Sequence, residues 1–509
     1  MTPTSSLDTF AVATASTSET SLDPLDAQEW DAMAALGHRM VDDMLAFLRG
    51  LRGEPAWRAV PEDVRLRLRA DVPWAAEGPV RAYEDFRELV LPYRLGNVHP
   101  RFWGRVQGTG SVVGMFAEML SGGINTNASG LASIASHVEG QVLDWCKTLL
   151  GMPREASGIL VSGGSAANFV GLTVARHAMA RRAGTDVTRD GIVALPHAPV
   201  VYGSVESHNS VTRALSLLGL GAAAFRKIPV DGDLRVLVDA LERAIEEDRA
   251  AGRWPMAIVG NAGTVNTGAT DDLEALAAVA SGHGLWLHVD GAFGAWAALS
   301  PSLRARLAGL ERADSVAFDL HKWMYMPYDV GAVLVRDAAS HRAAFSTGAT
   351  AYLGEALRGA EADEYRFNEL GPQLSRSFRA LKVWLSLKAY GVEAFRRQIE
   401  QNVEQAAYLA QLAEAHPELE LLAPAPLNVV CFRFRPADRG SATDLDAVNR
   451  EILMRLHEEG TAVPTSGRVA GAFGLRCAIT NHRSRREDFD LLVTRVVALG
   501  REVAAELAA

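Results

Sequence analysis

The sequence predicts an α/β protein whose larger part is a doubly wound, mainly parallel sheet. Two observations carry that expectation. Across residues 155–335 short apolar runs alternate with helical stretches, the pattern of successive βαβ units. Several runs are apolar almost throughout and stop at polar clusters, as strands buried on both faces do. They are Gly158-Ile159-Leu160-Val161, Val200-Val201-Tyr202, Ala257-Ile258-Val259-Gly260, Leu285-Trp286-Leu287-His288-Val289, Val316-Ala317-Phe318 and Gly331-Ala332-Val333-Leu334-Val335.

A chain of 509 residues exceeds what one compact core usually holds, so more than one domain is expected. The net charge of −10 argues against a nucleic-acid partner, because phosphate backbones select basic surfaces. No apolar run reaches the ~18 residues that a membrane span requires. Residues 1–24 are rich in Ser and Thr, contain no Lys or Arg, and read as a disordered tail rather than a leader. Cys146, Cys431 and Cys477 lie far apart without CxxC spacing. They suit core packing in a reducing cytoplasm, with no metal site expected.

In chain order, Trp30, Met33, Gly37, Met40, Val41, Met44, Leu45 and Leu48 recur at helical spacing. That apolar stripe needs a cover, from its own domain or from a second subunit. The proline-punctuated stretch to residue 95 reads as a wrapping segment, so 25–95 forms an N-terminal helical unit. Next, Asn97-Val98-His99-Pro100-Arg101-Phe102-Trp103-Gly104 is a polar and aromatic turn ahead of a long helical stretch over 116–150, and a candidate pocket wall.

The first apolar run leads into Ser162-Gly163-Gly164-Ser165-Ala166-Ala167-Asn168 and a helix. Strand, small-residue turn and helix form a phosphate-cradle layout, since glycines admit close approach and the helix start offers free N–H groups. The second run is followed by Glu206-Ser207-His208-Asn209-Ser210, where a histidine ring could stack on a flat ligand. The run ending at Gly260 is followed by Ala262-Gly263-Thr264-Val265-Asn266-Thr267-Gly268. Two further runs end in Asp290-Gly291-Ala292 and Asp319-Leu320-His321-Lys322-Trp323. Ligands of open α/β sheets sit beyond the carboxyl ends of strands. A carboxylate on one such end and a lysine on another are the groups that pyridoxal 5′-phosphate (PLP) demands.

These motifs, in this order, resemble the PLP-dependent group II amino-acid decarboxylases, which include aromatic-L-amino-acid, histidine and glutamate decarboxylases. The resemblance extends over about residues 25–500, with Cys431-Phe432-Arg433 and Gly474-Leu475-Arg476-Cys477 similar to the C-terminal part. It implies the PLP-dependent transferase fold of type I, with a PLP-binding large domain over 96–394 and a small α+β domain over 395–509. It also implies a homodimer with a shared active site and a small amino-acid substrate.

By resemblance, Lys322 binds the cofactor aldehyde and Asp290 pairs with the pyridine nitrogen. Ala292 packs on one ring face, His208 stacks on the other, and Thr264 supports Asp290. Gly164, Ser165 and Ala166 match the phosphate turn, and His321 a second phosphate contact. Asp319 stands where some relatives carry Asn, and a carboxylate there would repel phosphate. Tyr352 corresponds to a loop tyrosine that returns a proton to the substrate α carbon. Relatives that form aldehydes tend to lack this tyrosine or the histidine, and this chain has both. Phe102 and Trp103 would suit an aromatic substrate, whereas Arg101 in the same loop could receive an acidic side chain. Arg476 could hold a carboxylate, but reads first as a partner in an inter-strand salt bridge. The expected reaction is decarboxylation of an L-amino acid, aromatic favoured; the alternatives are a decarboxylase of an acidic or diamino acid, or an aldehyde synthase or aminotransferase of the same fold type.

Overall fold

The apolar runs become strands of one sheet because each is covered on both faces. The structure is a computed structural model that describes residues 22–24, 26–129, 133–346, 365–436 and 444–508. Tyr352 and most of the N-terminal stretch 1–24 lie outside the described residues. The strands are β1 (Ser157–Val161), β2 (Pro199–Ser204), β3 (Phe225–Ile228), β4 (Trp254–Asn261), β5 (Trp286–Asp290), β6 (Ser315–Asp319) and β7 (Gly331–Val335). They form a seven-stranded sheet in the order β1-β7-β6-β5-β4-β2-β3.

Strands β6, β5, β4, β2 and β3 are mutually parallel, while β7 runs antiparallel to both β1 and β6. The connection from Asp319 to Gly331 contains no crossover helix, so the chain can only turn back. Every residue of β5, β6 and β7 is buried. The helix Gly164–Arg182 lies across β5, β6 and β7 and starts at the end of β1. The carboxyl ends of β4, β5 and β6 therefore open beside the start of that helix, where the polar clusters follow.

A second, four-stranded antiparallel sheet is ordered β10-β11-β9-β8, with β8 at Leu419–Leu421, β9 at Val429–Phe434, β10 at Thr465–Val469 and β11 at Ala472–Ala478. Phe432, Phe434, Leu475 and Phe489 build its core with the helices Leu445–Glu458 and Arg486–Ala508.

Trp103 of the aromatic turn belongs to this core and Phe102 to a small cluster beside it, which corrects the pocket-wall expectation for both. The Trp103 ring stacks on Phe489 with centroids 4.8 Å apart, and its Nε1 donates to Ser484 Oγ at 3.0 Å. Phe102 bridges to Val463 and packs with Ala56. Both are large and apolar, and docking the turn on the small sheet removes them from water. Arg101 donates from Nε to the Thr461 carbonyl in the same contact, so it faces the small sheet rather than a substrate.

The helix Ala27–Gly50 is capped by Asp26, whose carboxylate accepts from Glu29 N. Leu36 is buried, but Trp30 and Met33 at the front of the stripe stay exposed. No helix among the described residues is long and apolar enough to cross a membrane.

Candidate active site

A cavity of about 880 Å³ lies beyond the ends of β4, β5 and β6, and it brings most of the singled-out residues together. Gly164, Ser165, Ala166, His208, Thr264, Asp290, Ala292, His321 and Lys322 all line it. Phe102 and Trp103 do not. Arg105, Val106 and Gln107, a few positions further along the same turn, line it instead.

One wall is a helix start. Gly163 is the N-cap of Gly164–Arg182 and has no side chain to satisfy the first turn. The first amide to bond back is Ala167 N, to Gly163 O at 2.9 Å. The amides of Gly164, Ser165 and Ala166 thus have no helical partner, at the positive end of a long helix dipole. Gly164 is required by space: a Cβ there would stand 2.9 Å from Asp319 Oδ2 and 3.2 Å from Ala292 Cβ. His321 Nδ1 accepts from Val330 N at 3.1 Å, and burial lowers the pKa of the ring, so its proton is on Nε2. Nε2 lies toward Gly163, on the cradle side. Amides and a neutral imidazole N–H are donors suited to a phosphate.

Lys322 follows β6 and meets a counter-ion rather than a second phosphate ligand. Its Nζ is 2.6 Å from Oδ2 of Asp319, whose side chain is 1% exposed. Among the described residues neither Asp319 oxygen accepts a hydrogen bond of good geometry, so the pair is held by charge. The Tyr328 ring lies 4.4 Å from that of His321, and its hydroxyl donates to Gln107 Oε1 at 2.8 Å.

Asp290 ends β5 almost fully buried, at 5% exposure. Its Oδ2 accepts from Asn168 Nδ2 at 2.8 Å and its Oδ1 from Ala292 N at 3.1 Å. Thr264, expected to support Asp290, does not touch it. The Thr264 hydroxyl pairs with Thr267 Oγ1 at 3.1 Å and accepts from Ala269 N, closing its own loop. A threonine followed by glycine-bearing turn residues satisfies nearby backbone first. Asn168 does what was expected of Thr264. His208 caps the helix Asn209–Leu217, accepting from Ser210 N on Nδ1, and burial lowers its pKa.

The small sheet contributes Arg476, with Thr465 and Ser466, to the same cavity. Arg476 is only 3% exposed, yet among the described residues Nε and Nη2 have no hydrogen-bond partner and Nη1 is 3.5 Å from Thr465 Oγ1. The expected inter-strand salt bridge is absent among the described residues. A buried guanidinium left unpaired is costly, and an arriving carboxylate is the anion that would relieve it. Together the helix start, the buried Asp290 and the strand-end Lys322 fit the phosphate, pyridine nitrogen and aldehyde of PLP.

The model of the pyridoxal-dependent decarboxylase conserved domain matches residues 61–435. An aromatic-L-amino-acid decarboxylase of Bacillus atrophaeus is 34% identical over 485 residues, covering 94% of this chain and 97% of that protein. A phenylacetaldehyde synthase of Petunia hybrida is 30% identical, covering 87% of this chain and 89% of that protein. Among solved structures, Oryza sativa TDC with PLP and tryptamine superposes with a TM-score of 0.86 at 27% identity, covering 96% of this chain and 100% of that one.

Proposed function

From the premise that this chain belongs to the pyridoxal-dependent decarboxylase family and is a PLP-dependent carboxy-lyase, we propose that it converts an aromatic L-amino acid to its amine and carbon dioxide. The observation that carries the site assignment is that Lys322 and Asp290, on the ends of adjacent parallel strands, line one cavity with a helix-start anion cradle.

When bound, the cofactor supplies the electron sink for the pair left by departing carbon dioxide. The chain's own residues then have separable tasks. Lys322 holds the aldehyde and gives it up to the substrate amine. Asp290 keeps a negative charge where the ring nitrogen's proton must stay. Gly164, Ser165, Ala166 and His321 donate to the phosphate, and Asp319 balances the charge of Lys322. Ala292 and His208 confine the ring, and Tyr352, from the segment outside the described residues, returns the proton to the α carbon. Arg476 orients a substrate carboxylate through charge-assisted hydrogen bonds.

The relatives with aromatic names support an aromatic side chain. Arg105 and Arg476 on the cavity wall support a second reading, an acidic side chain. The deciding experiment measures carbon dioxide from tyrosine, DOPA, tryptophan, phenylalanine, histidine, glutamate, aspartate and diaminobutyrate with added PLP. Release from the aromatic group alone is the expected outcome. Release from glutamate or aspartate alone selects the second reading, and aldehyde with peroxide in place of amine overturns the carboxy-lyase product.

Arg476→Leu is expected to lower kcat/KM by about 10–100-fold, the worth of a charged hydrogen bond. The same variant, without substrate, is expected to raise Tm, because an unpaired buried cation has been replaced by an apolar side chain. A thermal scan beside the rate assay checks both signs.

We place the protein in the cytoplasm as a homodimer. Three free, buried cysteines support the first, and the exposed Trp30 and Met33 on the helix Ala27–Gly50 support the second.

A further inference from the structure

We infer that Asn168 is a positioning residue: its single amide orients the Asp290 carboxylate and, through Ser210, holds His208 in the tautomer whose proton is on Nε2. The inference rests on the reading that Asp290 and His208 serve the cofactor.

The direction of each hydrogen bond follows from groups that can act in only one way. An ionised Asp290 only accepts, and it takes a proton of Asn168 Nδ2 at 2.8 Å. That fixes the amide, so Asn168 Oδ1 accepts, at 2.9 Å, from Nε2–H of His288. Burial lowers the pKa of His288 to about 4 and keeps the ring neutral. Its Nδ1 therefore accepts from the Ser315 hydroxyl at 2.8 Å. Ser315 Oγ in turn accepts from Trp286 Nε1 at 2.9 Å, and an indole N–H can only donate. The network is donor-only at one end and acceptor-only at the other, and no link conflicts with the next.

The second proton of Asn168 Nδ2 goes to Ser210 Oγ at 2.9 Å. The Ser210 hydroxyl, engaged as an acceptor, donates to His208 Nδ1 at 2.8 Å, and Ser210 N approaches the same nitrogen at 3.2 Å. With two donors on Nδ1, neutral His208 carries its proton on Nε2.

The fold builds this from two periodicities. Trp286, His288 and Asp290 alternate onto one face of β5. Asn168 sits one turn into the helix that covers that face. Gly171 lets the helix sit directly on the imidazole, since a Cβ there would fall 2.6 Å from His288 Cε1. Asn168 is 1% and His288 0% exposed, so water does not compete for these bonds. A satisfied buried network of this kind specifies orientation as well as stability.

The test reads the tautomer directly. In full-length chain labelled with ¹⁵N-histidine, long-range ¹H–¹⁵N spectra are recorded with and without PLP, and His208→Gln assigns the signal. The expected result is a protonated Nε2 and a bare Nδ1 in the wild type. A larger share of the Nδ1–H form is expected in Asn168→Ala and in Ser210→Ala, where the backbone N–H of residue 210 at 3.2 Å is the donor that remains fixed. Each variant is expected to lose about 10–100-fold in kcat, as second-layer partners of a reactive group do, with KM little changed. The double variant should be no slower than the worse single one, because the two residues act as a unit. A wild-type His208 protonated on Nδ1, or losses that multiply, overturns the inference. Should Asn168→Ala fail to fold, Ser210→Ala removes one hydroxyl and still reads the tautomer. The cofactor-free spectrum does not depend on any reaction, so failure of the decarboxylase reading appears separately, as absent carbon dioxide with the tautomer intact.

Discussion

Lys322→Ala is expected to abolish carbon dioxide release, by at least about 10³-fold in kcat, because among the described residues no other lysine lines the cavity and covalent capture of the aldehyde needs an amine. The substitution also has a stability consequence that a passive surface lysine would not have. Asp319 is fully buried, and its oxygens have no hydrogen-bond donor among the described residues; Lys322 Nζ at 2.6 Å is the charge that compensates it. Removing the amine strands a carboxylate. A fully buried broken pair costs roughly 3–5 kcal/mol, and the partial exposure of Lys322, 22% of its side chain, reduces this to about 1–3 kcal/mol. The single variant should therefore melt lower than the wild type when both are free of cofactor. Adding Asp319→Asn should restore most of the Tm and none of the activity. A Lys322→Ala protein that still releases carbon dioxide would sink the assignment, and one with unchanged Tm would show that Asp319 finds another partner.

That Asp319 belongs to Lys322 marks where the sequence ceased to be readable. Strand ends were legible because burial on both faces makes the runs apolar, and the polar residues that stop them are the ones the cavity uses. Thus Asp290, Lys322, His208, His321 and the Gly164 turn could be named from the chain alone and are brought to one cavity. Strand β3 could not, because Arg226 and Lys227 interrupt its apolar character at the sheet edge. Direction was equally hidden: the all-apolar run Gly331–Val335 is the same whether it lies parallel or, as here, antiparallel. Pocket lining failed for a different reason. Phe102 and Trp103 look like a substrate wall, but large aromatics follow apolar surface that removes them from water: Trp103 is buried in the small domain's core and Phe102 against Ala56 and Val463. Arg105, Val106 and Gln107 carry no aromatic signal and line the cavity because the docked turn leaves them there. Asn168 closed a motif read for its glycines, and its helical phase over β5 is a tertiary fact. The run His482-Arg483-Ser484-Arg485-Arg486 resembles a solvated turn, yet Arg483 donates to the Thr109 carbonyl and Ser484 is buried.

Arg376→Met should be among the most destabilising single substitutions in the large domain. Its guanidinium donates to Ala128 O at 2.6 Å, to Glu139 Oε1 at 2.5 Å and to Leu160 O at 2.7 Å, with the Phe367 ring 5.2 Å away. One side chain thus joins the loop before the helix Ile134–Leu150, that helix and β1, the strand that delivers the Gly164 turn. Arg376 and Glu139 have side-chain exposures of 0% and 1%, so solvent cannot replace either partner. Methionine fills the volume but leaves Glu139 charged and buried, with Oε2 already lacking a donor. Breaking such a pair costs roughly 3–5 kcal/mol, a large fraction of the 5–15 kcal/mol that holds a typical domain folded. Replacing both residues, Arg376→Met with Glu139→Leu, should recover most of the loss, since an apolar pair leaves no stranded charge. PLP provides an independent check through mass action. A ligand that binds only the folded chain adds about 2.7 kcal/mol at 100 times its Kd. Saturating PLP should therefore raise the Tm of Arg376→Met by about as much as it raises that of the wild type, with a Kd for PLP close to the wild-type value. A variant whose Tm PLP fails to raise would instead place the damage in the cradle itself, through the Leu160 carbonyl and the strand that ends at Val161.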